Sequence, residues 1–121
     1  MGYQIDLSQV PVEHKGEPRS GWYQHPSGVY ISPLVVAKHR MTGEPPQAFT
    51  YEAWRHGGWY VAETVWPNGG CGCVSRNYAD GKWRIACDPR PFDEQPTFRT
   101  REDAARGEWL FVKALVEATP W

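Results

Sequence analysis

The chain is expected to fold as an α+β domain: an antiparallel, twisted β-sheet of about four to six strands with one C-terminal α-helix packed on one face. Three observations predict this. Between Trp59 and Cys87, aromatic and β-branched runs are separated by the turn signals Pro67-Asn68-Gly69-Gly70 and Asp80-Gly81, as in a meander of strands. Thr100 then stands where a helix N-cap belongs, with Asp103 three residues on. After it, Ala104, Ala105, Trp109, Phe111, Val112, Leu115 and Val116 recur at helical spacing and form a broad apolar stripe.

Residues 1–20 carry Pro11, Gly16 and Pro18 among Glu13, Lys15, Glu17 and Arg19, with one short apolar patch at Val10-Pro11-Val12, and are expected as a flexible arm. Residues 21–121 form the single α+β domain. Gly21-Trp22-Tyr23, the turn signal His25-Pro26-Ser27-Gly28 and the β-branched run from Val29 to Ala37 read as one or two strands, with Pro33 at an edge or a break. Met41 to Pro46 is a loop. Ala48 to Trp54 alternates, Arg55-His56-Gly57-Gly58 supplies positive-φ positions, and Trp59 to Trp66 follows, which predicts a β-hairpin; a short helix at Tyr51 to Trp54 competes.

Further along, Cys71 to Tyr78 is expected as a strand, followed by a hairpin at Asp80-Gly81 and a strand from Lys82 to Cys87. On that last strand Trp83, Ile85 and Cys87 face the core and Lys82 and Arg84 face water. Asp88 to Pro96, with three prolines, is a linker. In the helix, Arg106, Lys113 and Glu117 fall outside the apolar stripe, Gly107 lies beside it, and Thr119-Pro120 ends it.

Composition bounds the function. At 121 residues the chain is long enough for one core and too short for two. Thirteen basic against fourteen acidic residues leave a net charge of −1, so no global field favours nucleic acid or anionic lipid. Aromatics reach 14 %, including seven Trp and six Tyr, the residue types most enriched at interfaces, and this points to recognition of a partner. No apolar run approaches the length of about 18 residues that spans a bilayer. Met1 to Asp6 lacks the basic and apolar regions of a signal peptide, so a cytoplasmic protein with no membrane partner is expected. Three cysteines, two of them in Cys71-Gly72-Cys73, do not make a secreted disulfide framework.

Four chemistries compete with ordinary structural roles for these residues. Cys71, Cys73 and Cys87 with His56 are a zinc ligand set in type, but Cys-x-Cys is an uncommon close pair and buried thiols explain the cysteines as well. Nucleophilic or acid–base catalysis finds no Gly-x-Ser-x-Gly, no phosphate-cradling glycine loop and no His-Glu-x-x-His, and Glu63, Asp80, Asp88, Asp93 and Glu94 read as turn, loop or surface residues. No enzyme and no cofactor is therefore expected.

Trp83-Arg84-Ile85, followed by Thr97-Phe98-Arg99-Thr100-Arg101-Glu102-Asp103-Ala104-Ala105, resembles the sheet-plus-helix domains with which phage tyrosine integrases bind arm-type DNA sites. The likeness covers the last half of the chain. It implies DNA contacts through Arg76, Lys82 and Arg84, although those domains are basic and here the basic residues are offset by acidic ones. The chain also resembles short phage and prophage proteins, which implies a bacterial or prophage origin.

Recognition of a protein, or of a second copy of the chain, is expected to use exposed aromatics, with Tyr60, Trp66, Trp54 and Trp22 as the contact residues. The sequence is thus read as a small non-catalytic interaction module with a protein partner. Weak, sequence-tolerant DNA binding is the first alternative and a small zinc domain the second.

Overall fold

The structure, a computed structural model, describes residues 5–121. In chain order its elements are β1 (Lys15–Gly16), β2 (Tyr23–Gln24), β3 (Tyr30–Ile31), α1 (Pro33–Arg40), β4 (Tyr51–Trp54), β5 (Gly58–Val65), β6 (Cys71–Ser75), β7 (Arg84–Ile85) and α2 (Arg101–Ala118). The α+β class, the antiparallel pairing and the C-terminal helix are as expected. The strands divide, however, into two sheets: three in the order β1-β3-β2 and four in the order β4-β5-β6-β7.

The larger sheet begins with the predicted hairpin. Tyr51 pairs with Val61 and Trp54 with Gly58, and the turn between them takes positive φ at His56 and Gly57. Tyr51–Trp54 is strand and not helix. Between Val61 and Val65 the register of β5 slips against β6, a bulge that carries Ala62 and Glu63 outward while Thr64 stays buried. Asp80-Gly81 does form a turn, but a wider one than a two-residue hairpin: β7 is confined to Arg84–Ile85, because the chain turns again at Ala86-Cys87.

Helix α2 crosses one face of this sheet. Thr100 accepts at its side chain from the Asp103 N–H at 3.0 Å, which satisfies one of the four orphan donors of the first turn. At the other end, Lys38 of α1 donates to the carbonyls of Val116 and Thr119 at 3.1 and 2.6 Å, so a side chain from another element satisfies the last turn. Gly107 is where α2 meets Phe98: a Cβ there would stand 2.4 Å from the end of the phenylalanine ring.

One expectation about the elements is corrected. In the run from Val29 to Ala37 only Tyr30–Ile31 is strand; Pro33 does not stand within or at the edge of a longer strand but opens the helix α1. Proline suits a first helical position because its fixed φ and missing N–H cost nothing there. Leu34, Val35, Val36 and Ala37 are all buried, and a run that is apolar on every side carries no periodicity to separate helix from strand.

Met1–Gln4 of the expected arm lie outside the described residues, and residues 16–20 are exposed; between them the segment touches the rest of the fold at a few places. Val10 is buried in the main core with Ile31, Met41, Trp66 and Trp109, and Lys15–Gly16 pair with Tyr30–Ile31. His14 shares a 2.8 Å hydrogen bond with Ser32 through Nδ1 and donates from Nε2 to the Trp121 carbonyl at 2.8 Å, tying the two ends of the chain together.

Candidate functional site

Three places gather chemistry-bearing side chains, and they share few residues. The first is buried. Glu108 sits in the apolar stripe of α2 with no solvent exposure. Its Oε2 accepts from the Trp66 indole N–H at 2.9 Å, and both its oxygens accept from the Cys73 N–H at 3.0 and 3.1 Å. The Cys87 thiol donates to Oε2 at 3.7 Å.

The fold explains the arrangement. Ala86 donates to the Cys73 carbonyl at 2.8 Å, but the chain turns away at once, so β7 never returns an acceptor to the Cys73 N–H. A buried backbone donor left without a partner is costly, and Glu108 supplies the acceptor. Gly72 makes the space: a Cβ there would lie 2.8 Å from Glu108 Oε1.

Burial pushes the Glu108 carboxyl up from 4.5 to about 7, against the lowering effect of its three hydrogen bonds, and the Asp88 carboxylate adds to the rise. Burial, with Glu108 second, pushes the Cys73 and Cys87 thiols up to about 12, and burial raises Cys71 as well. These thiols are protonated at neutral pH, the opposite of an activated nucleophile.

The second place is the outer face of the four-stranded sheet, away from α2. Trp54 and Tyr60 meet there with ring centres 5.7 Å apart. Beside them, Thr50, Tyr51, Glu52, Tyr60, Ala62 and Cys71 line a largely apolar groove of about 430 Å³. The groove runs along β4, which among the described residues pairs with β5 alone and leaves its other edge open. The bulge in β5 keeps this edge in place, since Glu63 accepts from the Thr50 N–H at 2.8 Å.

The third place lies at the end of the sheet by the β4–β5 turn. His56, Gly57, Trp59, Arg76, Asn77 and Trp83 line an open depression of about 730 Å³. The Arg76 guanidinium stands 5.8 Å from the Trp83 ring and Arg101 stands 4.7 Å from Trp59.

The residues expected to act are distributed unevenly among these places. Of the four aromatics proposed for protein contact, Trp54 and Tyr60 come together on the outer face. Trp22 lies in the other sheet region under the Arg19 guanidinium at 4.7 Å. Trp66 is buried and its N–H is committed to Glu108, so it faces no partner.

Of the three basic residues, Lys82 is exposed and Arg76 lies over Trp83, but Arg84 is 6 % exposed instead of facing water. The returning linker covers it: Arg84 donates to Asp80 at 2.7 Å and stacks 4.0 Å from the Phe92 ring. Asp88, expected as a turn, loop or surface residue, lies in the loop after β7 with its side chain buried and paired with Arg90 at 2.6 Å.

Among the described residues no three His, Cys, Asp or Glu side chains are gathered as metal ligands would be. No cysteine lines the depression that His56 lines.

Glu108 was missed by sequence reasoning. The signal was its spacing: Ala104, Glu108 and Val112 are successive positions four apart on one helix face.

No family model, curated protein or solved structure matches the chain, so its function is argued from these residues. Among the described residues no helix is long and apolar enough to cross a membrane.

Proposed function

We propose that the chain is a non-catalytic interaction module that works in the cytoplasm and recognises a protein partner by accepting an extended segment of it along the β4 edge. The single observation that carries this reading is the open edge of β4 beside the Tyr60–Ala62–Cys71 groove. A strand added to a sheet edge gains main-chain hydrogen bonds, and alternate side chains of the added segment drop into whatever pocket the neighbouring strand provides. Here the pocket is apolar with an aromatic wall, and Trp54 extends it.

The lack of a reaction centre is argued from the ionisable groups. Glu108 is sealed from solvent, the cysteines are raised to the protonated side, and no cysteine among the described residues is hydrogen-bonded to a histidine. The three free thiols suit a reducing compartment.

The test is a display selection of random peptides of about seven residues against the folded chain, repeated with Ala62→Arg. Ala62 is exposed, so the variant keeps the fold while its side chain fills the groove. Peptides that bind the original chain at least about tenfold more tightly than Ala62→Arg support the reading. Binders indifferent to Ala62→Arg would show that recognition happens elsewhere.

A further inference from the structure

We infer that the depression at the end of the four-stranded sheet is a binding site for single-stranded nucleic acid, separate from the β4 groove and sharing no lining residue with it. Its lining is unusual for a chain with net charge −1: two indoles, one guanidinium, one imidazole and one carboxamide, with no carboxylate.

Trp59 and Trp83 are half-buried, held at their inner sides by the sheet and helix α2. Phe98 and Trp83 exchange main-chain hydrogen bonds at 2.9 and 3.3 Å, which fixes the second indole against the start of α2. Each ring is partly open to solvent and carries a guanidinium beside it, Arg101 at 4.7 Å from Trp59 and Arg76 at 5.8 Å from Trp83, so each offers a ring and a cation together, to which an unpaired base can bring its π-face. Arg76 and Asn77 follow β6 directly and bring a cation and an amide donor to the same space, where phosphates and base edges carry acceptors.

His56 supplies an independent observation. It is the non-glycine residue that adopts a left-handed backbone among the described residues, with φ 62° and ψ 31°. Glycine, which follows it at position 57, takes such a conformation without steric cost. Outliers of this kind cluster at binding sites, where a particular side chain is needed in a tight turn. Here the strained turn places an imidazole on the rim of the depression.

The chemistry selects among anionic partners. A duplex hides its base faces in the stack and leaves the two indoles unused. An acidic peptide would satisfy Arg76 but has no planar groups to match two rings. An unpaired strand offers both a π-face and a phosphate, and the volume of about 730 Å³ admits more than a single base.

The experiment is fluorescence anisotropy with a labelled oligothymidylate of about 12 nucleotides, at about 50 mM and about 200 mM salt, next to a duplex of equal length and a labelled polyglutamate. The expected result is preference for the single strand, weakening with salt. Arg76→Glu, at an exposed position, should lower affinity about tenfold or more and flatten the salt dependence. His56→Asn, which keeps a residue tolerant of the left-handed turn, should lower it by a few fold. Circular dichroism of both variants confirms that the fold persists. Absence of oligonucleotide binding, equal binding of the duplex or of polyglutamate, or an unchanged affinity in Arg76→Glu would each overturn the inference.

Discussion

Glu108 sits in a contest between two effects of similar kind and opposite sign. Three donors converge on its carboxylate and favour the ionised form, while complete burial favours the neutral one. Burial wins, and the carboxyl titrates near 7 in place of 4.5. A raised acid is stabilising when protonated. Its contribution is therefore fully present below pH 4.5 and is lost as pH rises through about 7. Glu108→Gln removes this titration, so the difference in unfolding free energy between the two proteins should change by on the order of 3 kcal/mol across that window and be flat outside it. Denaturant melts at a series of pH values measure this directly; parallel pH profiles would contradict it. The sequence analysis did not single the residue out. What hid it is that its need is set by a distant backbone amide, that of Cys73, whose partner strand turns away at Ala86.

At the scale of elements, what sequence conveys best is local chemistry. The Thr100 cap, the alternation on either side of Arg55–Gly58 and the spacing of α2 each rest on neighbours within a few residues, and each appears where expected. What it conveys poorly is burial from all sides, which made α1 resemble a strand, and coverage by a remote loop, which turned Arg84 from a wet residue into a buried one. Gly107 separates the two kinds of information. On propensity alone, Gly107→Ala in α2 should stabilise by about 1 kcal/mol. The Phe98 ring 2.4 Å from the added methyl opposes this, and overpacking of that sort costs about 1–3 kcal/mol. The ring is anchored through the Trp83–Phe98 main-chain bridge, so the clash should prevail and Gly107→Ala should melt at lower temperature. A higher melting temperature would mean that the ring moves aside freely.

For the whole molecule, the two sheets and two helices meet in one main core, and the N-terminal segment is part of it. Val10 lies in that core, and His14 links Ser32 to the Trp121 carbonyl. A chain lacking residues 1–14 should therefore lose the burial of Val10, worth about 1.5–3 kcal/mol, and its melting temperature should fall by roughly 5 °C or more. An unchanged value would restore the picture of a dispensable arm. The same architecture leaves β4 as the open edge of the larger sheet, with an aromatic groove alongside, and the proposed recognition of a protein segment rests on that edge. Amide hydrogen exchange on the chain, free and saturated with a selected peptide, tests it most directly. The account predicts new protection at Tyr51 and Ala53, whose main-chain groups alternate along β4 with those already turned toward β5; protection confined to other segments, with β4 exchanging as in the free chain, would contradict it.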